Sequence, residues 1–145
     1  MLETEVIIVG AGPAGSACAW KLNQNGIQTV LLDKKAFPRP KLCAGWITPG
    51  VLNNLAVKPR EYPHGILTFK RLFFHSRGKA LRVPTCHYSI RRTEFDHLLQ
   101  KKTGIPLQQH AVQQIRKEND YYIIDNSYRS KYLIGAAGTH CPVYR

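Results

Sequence analysis

The chain has 145 residues, room for one domain and too few for two full ones. Apolar residues at 43% and charged ones at 21% give a globular rather than a disordered composition, and no run approaches the ~20 apolar residues of a bilayer span. Twenty-one Lys and Arg against nine Asp and Glu leave a net charge of +12, concentrated at 61–117, where eleven cations meet three acids. That balance attracts polyanions in general (nucleotide phosphates, anionic lipid heads, nucleic acid) and does not choose among them. Glu3 and Glu5 precede the first apolar run, unlike the positive start of a secretory leader. Cys18, Cys43, Cys86 and Cys141 show no CxxC spacing, so neither a metal site nor a disulfide framework is expected, and a reducing cytoplasm is the expected location.

Val6-Ile7-Ile8-Val9 is a short apolar run ending in glycine, the pattern of a strand buried on both faces. Gly10-Ala11-Gly12-Pro13-Ala14-Gly15 follows, then a helix through Ala17, Ala19, Trp20 and Leu22 that Asn25-Gly26 stops. Thr29 to Leu32 is a second buried strand, with Asp33 at its carboxyl end. Strand, glycine turn, helix and strand open a βαβ unit. Residues 34–47 carry two prolines and no period, and read as a long ordered loop. Thr48-Pro49 starts a short helix through Val51, Leu52 and Leu55, with Thr48 as N-cap. Residues 66–90, broken at Ser76-Arg77-Gly78, predict a hairpin. Thr93 is expected to cap another helix, with Phe95, Leu98 and Leu99 on its apolar side and Gly104 and Pro106 at its end. A strand from Leu107 is followed by hairpins turning at 118–120 and 125–127, and a last strand, Tyr132 to Ile134, runs into Gly135-Ala136-Ala137-Gly138. A doubly wound nicotinamide domain would keep alternating strand and helix after the second strand; this chain does not.

The chemistry starts at the glycines. Gly10 permits a tight turn, Gly12 lets backbone approach a pyrophosphate, and Gly15 lets helix pack close on strand. The helix N-terminus then faces the phosphates. Asp33, eighteen residues after Gly15, is placed to accept both ribose hydroxyls and to repel a 2′-phosphate. In the loop beyond, Lys41, Cys43, Ala44 and Gly45 join a cation, a thiol and two small residues, a composition that lets a flat ring lie against backbone.

With these segments in order, the sequence resembles the geranylgeranyl reductase family of FAD-dependent oxidoreductases, within the class built like aromatic-ring flavin hydroxylases. The matching segments are the glycine motif with Asp33, Phe37-Pro38-Arg39 with the 41–45 loop, Arg92 to Asp96, and Leu133 to Arg145. The resemblance implies an α/β fold: a Rossmann-like βαβ FAD-binding domain with inserted antiparallel strands, the start of a substrate-domain sheet at about 60–90, and a β-meander. It implies that 1–145 is an incomplete FAD-binding domain, with a second Gly-Asp segment and most of the substrate domain farther on. It implies that Gly10, Gly12, Pro13, Ala14 and Gly15 cradle the pyrophosphate and that Asp33 holds the adenosine ribose. Lys41, Cys43, Ala44 and Gly45 would lie along the flavin, Arg92 would reach the phosphate and ribitol region, and Val112 would face the adenine. Gly138 closes a segment matching the family's Gly-Ala-Asp-Gly, with Ala137 in place of the aspartate. Cys43 is the one catalytic candidate, a thiol that donates a proton or lines the substrate pocket.

The expected activity is reduction of carbon–carbon double bonds of an isoprenoid lipid, with FAD reduced by NAD(P)H or another donor. Peripheral contact with a membrane gives the cations a use, and unpaired strand edges are expected to favour self-association. The alternatives are a flavin monooxygenase of the aromatic hydroxylase class and a truncated, non-catalytic dinucleotide-binding module. Nucleic-acid binding has net charge alone in its favour. Six scattered histidines show no ligand spacing, and Ser16 lacks the GxSxG elbow of a hydrolase.

Overall fold

A computed structural model describes residues 1–144. In chain order the elements are β1 (Leu2–Val9), α1 (Pro13–Gln24), β2 (Thr29–Asp33), β3 (Trp46–Ile47), α2 (Pro49–Asn54), β4 (Leu67–Thr68), β5 (Arg71–Ser76), β6 (Lys79–Pro84), β7 (Tyr88–Ser89), α3 (Arg92–Lys102), β8 (Leu107–Gln109), β9 (Ile115–Glu118), β10 (Tyr121–Ile124) and β11 (Tyr128–Gly135). The chain divides into two units, one of residues 1–39 and 96–145, the other of residues 40–95.

The first unit is a six-stranded sheet in the order β8-β2-β1-β11-β10-β9. The four strands β8, β2, β1 and β11 run parallel, and β10 and β9 extend the sheet as an antiparallel meander. β1 lies centrally, which is why its apolar residues run without alternation. Val6 and Ile8 point to one face with Leu31, Ala19 and the half-buried Leu22 and Ile27. Ile7 and Val9 point to the other, with Leu32, Ile124 and the half-buried Val112 and Leu133. Gly104 follows the end of α3 at Lys102 as expected, with φ +68.

The second unit is built from short pieces. β3, β7 and β4 form a three-stranded sheet of two-residue strands, and β5 and β6 form a separate hairpin. The hairpin turns at Arg77-Gly78, where both residues have positive φ.

Four local expectations are corrected. Helix α3 begins at Arg92, and the Phe95 N–H donates to the Arg91 carbonyl, so Thr93 is inside the helix rather than its cap. Thr48 does occupy the N-cap position of α2, but its hydroxyl makes no capping bond. The final strand starts at Tyr128, four residues before Tyr132. Its polar first half belongs to the sheet through main-chain pairing with β1 and β10, which side-chain pattern does not report. The 34–47 loop also ends in a strand, because Trp46 and Ile47 pair with Ser89 and Tyr88.

Candidate functional site

The glycine turn sits where three parallel strands end. The Gly10 N–H donates to the Leu32 carbonyl at 2.7 Å, and the Ala136 N–H donates to the Val9 carbonyl at 2.8 Å. Gly10 has φ +108, and a Cβ there would lie 2.5 Å from the backbone of Ala136 and Ala137. A Cβ on Gly15 would lie 1.8 Å from the Gly10 carbonyl oxygen. These two glycines are required by the turn itself. Ser16, fully buried, fastens it from below: its hydroxyl donates to the Ala11 carbonyl and its N–H to the Gly12 carbonyl, each at 2.9 Å.

Gly12 differs from both. Nothing lies within 4 Å of where its Cβ would be. It is the N-cap of α1, no side chain caps that helix end, and Pro13 follows at the start of the helix. The result is open space against the positive end of a twelve-residue helix, the arrangement suited to a phosphate group.

Asp33 is 8% exposed at the end of β2. Its Oδ2 accepts the Ala11 N–H at 2.9 Å and an Arg39 guanidinium N–H at 3.2 Å, and its Oδ1 accepts the Lys35 N–H at 3.0 Å. The carboxylate thus ties the glycine turn to the loop after β2. With about four acceptor positions on a carboxylate, one remains on Oδ1. Arg39 was not singled out in the sequence as a site residue. Its guanidinium also lies over the Phe37 ring, 4.7 Å from the centroid, and its Nε is buried without a hydrogen-bond partner. A cation six residues after the acid was the available signal.

The strand end beside Asp33 is organised by a second carboxylate. The His110 N–H donates to the Asp33 carbonyl at 2.8 Å. The His110 Nε2 pairs with Asp125 Oδ2 at 2.6 Å, and Asp125 also accepts the N–H groups of Gln113 and Gln114. Burial pushes the Asp125 carboxyl up, but the bonds from His110, Gln114 and Gln113 outweigh it and hold the group below the ordinary carboxylate value. The segment carrying Val112 is fixed in this way. Gly138, at φ +81, opens a helical turn after Ala137 and has nothing within 4 Å of its missing Cβ. Arg145 lies outside the described residues.

The first unit therefore gathers the glycine turn, Asp33, Val112 and Gly138. Lys41, Cys43, Ala44, Gly45 and Arg92 belong to the second unit. There Lys41, Cys43 and Ala44 are exposed, and Cys43 Sγ accepts the Gly45 N–H at 3.4 Å. Gly45 is buried at φ +71, and a Cβ on it would lie 2.0 Å from the Ile90 carbonyl oxygen. The Ile90 N–H in turn donates to the Gly45 carbonyl at 2.9 Å. Glycine is thus needed at 45 for this backbone contact alone. Trp46, half exposed, meets the His87 ring edge-on at 5.3 Å. Arg92 is half-buried in the first turn of α3.

Open space at Gly12, an uncapped helix end and a buried unpartnered guanidinium N–H fit a dinucleotide with a pyrophosphate. A family model described as FAD dependent oxidoreductase matches residues 5–136. The chain belongs to this family. It is 35% identical to an uncharacterized protein of Methanosarcina barkeri, over the whole of this chain and 40% of that one. It is 33% identical to digeranylgeranylglycerophospholipid reductase 2 of Methanopyrus kandleri over 68% of this chain and 25% of that one. It spans no more than about two-fifths of the length of these relatives. Among solved structures, the flavin-dependent halogenase CmlS superposes with a TM-score of 0.83 at 23% identity, covering all of this chain and 31% of that one. A geranylgeranyl bacteriochlorophyll reductase-like protein of Thermoplasma acidophilum superposes with a TM-score of 0.77 at 20% identity, covering 92% of this chain and 38% of that one. Both share the fold, a Rossmann-like α/β domain with added antiparallel strands.

Proposed function

We propose that the protein carrying this chain saturates carbon–carbon double bonds in the isoprenoid chains of a lipid. The observation that carries the proposal is the 33% identity with a digeranylgeranylglycerophospholipid reductase over 68% of this chain. FAD, when bound, supplies the hydride chemistry that an alkene reduction needs. Gly12, Ala14 and the first turn of α1 would receive the pyrophosphate, with Gly10, Pro13 and Gly15 shaping the turn. Asp33 would accept one ribose hydroxyl, and Val112 would offer backbone to the adenine, on the side that Asp125 and His110 hold in place. Lys41, Cys43, Ala44, Gly45 and Arg92 would serve the flavin, ribitol and phosphate end, with the cofactor reduced by NAD(P)H or another donor. An exposed Cys43 would hold the proton that completes the saturation.

The second reading is an oxygen-using flavoenzyme, favoured by the superposition on a flavin-dependent halogenase. One experiment separates the two. The protein is loaded with FAD, reduced without oxygen, and mixed with a geranylgeranyl glycerolipid. A mass gain of two hydrogens per double bond supports the reductase, and bleaching of the flavin by NADH or NADPH beforehand identifies the donor. Unchanged lipid, with oxygen consumption triggered by an aromatic substrate, sinks it.

A further inference from the structure

Between β8 and β9, residues 110–114 belong to no strand or helix. A stretch without a ladder of its own takes its course from individual bonds. At one end the His110 N–H is held by the Asp33 carbonyl. At the other end the bonds come from Asp125. Its carboxylate accepts the N–H groups of Gln113 and Gln114, and its own N–H donates to the Gln114 carbonyl at 3.1 Å. The turn between β10 and β11 puts Asp125 and Asn126 at positive φ, +47 and +54. The remaining partner of Asp125 is the His110 ring, which meets Tyr128 edge-on at 5.1 Å. Val112 sits inside this frame, its half-buried side chain packed on the core of Val9, Leu32 and Ile124. Its main chain is left unused: among the described residues, neither its N–H nor its carbonyl makes a hydrogen bond.

We propose that Asp125, with His110, is the positioning residue that makes this site specific for adenine, by fixing 110–114 so that the Val112 N–H and carbonyl meet the base. An N–H and a carbonyl on one residue match the adenine edge, where N1 accepts and the 6-amino group donates. Asp125 itself touches no ligand in this account. Removing it frees the far end of the stretch from three bonds at once, and removing the His110 ring frees the near end from one. The inference rests on the reading that the FAD adenosine lies beside Asp33 and Val112. It is independent of what the flavin reduces.

The test uses the full-length protein, with ADP and IDP displacing FAD. Displacement is followed by flavin fluorescence well below the melting temperature of each variant. Hypoxanthine presents N1–H and a carbonyl where adenine presents N1 and an amino group, so it reverses the pattern that Val112 reads. Wild type should prefer ADP about tenfold, the scale of one or two hydrogen bonds left unmade. Asp125→Ala should weaken ADP about tenfold and bring the ADP-to-IDP ratio close to one. His110→Ala should reduce the ratio about threefold, and His110→Gln, which keeps an N–H for Asp125, should restore it. A merely structural role would lower the melting temperature and leave the ratio of the folded protein unchanged, and that result overturns the proposal. If Asp125→Ala yields no folded protein, an unchanged ratio in His110→Ala overturns it equally. Wild type that binds FAD but does not distinguish ADP from IDP would place the adenine elsewhere, and the adenosine reading would fall together with the proposal.

Discussion

The two units of this chain hold themselves together by different means. In residues 1–39 and 96–145, parallel strands bury both faces of β1, and the glycine turn and the end of β2 are fastened by hydrogen bonds from Gly10, Ser16 and His110. In residues 40–95, strands of two residues and a lone hairpin leave Leu67, Phe73, Phe74 and Leu81 more than half exposed. A two-stranded ribbon alone is marginal in water, so the second unit depends more on contacts outside its own ladders. The lesson is that in the first region the paired strands themselves carry the core, whereas in the second the buried side chains, Leu52, Leu55, Tyr62, Ile90 and Phe95, lie outside the strands.

Substitutions should expose this contrast in graded steps. Gly15→Ala places a methyl 1.8 Å from the Gly10 carbonyl oxygen and should cost roughly 3 kcal/mol, the upper end of overpacking penalties, read by denaturant unfolding. A stable Gly15→Ala protein would show that the turn is not packed as described. Asp33→Asn removes the charge that Ala11, Lys35 and Arg39 share and should cost about 2 kcal/mol. FAD affinity is expected to fall with it.

Asp125 gives a pH signature. Its folded-state carboxyl is held below its ordinary value, so the stability it contributes is present above the ordinary carboxylate range and is lost as pH falls through the folded value. Asp125→Asn should flatten that part of the pH–stability curve and cost about 1 kcal/mol near neutrality. An unchanged acid limb would mean the His110 pair contributes nothing. At the small end, Phe74→Ser in the hairpin should alter stability by less than about 0.5 kcal/mol. A large loss there would show that this face is packed against protein and erase the contrast between the units.

The sequence carried the first unit well because its signals are local. An apolar run, three glycines and an acid at fixed spacing define β1, α1 and β2 without help from distant residues. The start of β11 was hidden because Arg129, Ser130 and Lys131 resemble a loop, and only pairing with Leu2 to Thr4 makes them a strand. Residues 66–90 read as one hairpin because β4 and β7, of two residues each, separate from β5 and β6 only through their partners. At the candidate site, the glycines and Asp33 were legible, but Arg39 on Asp33 was not, since the pair closes through a proline-flanked loop with no period. Nor could spacing reveal that Asp125 and His110 hold the segment of Val112.

The central claim is that open backbone at Gly12 receives the FAD pyrophosphate, and Gly12→Ala tests it most directly. FAD binding, followed by quenching of flavin fluorescence, is measured for wild type and variant beside their thermal melts. Because nothing lies within 4 Å of the new methyl, the fold should tolerate it to within about 1 kcal/mol, while FAD affinity drops at least tenfold, about 1.4 kcal/mol. Unchanged affinity at unchanged stability would contradict the account and move the phosphate site away from this turn.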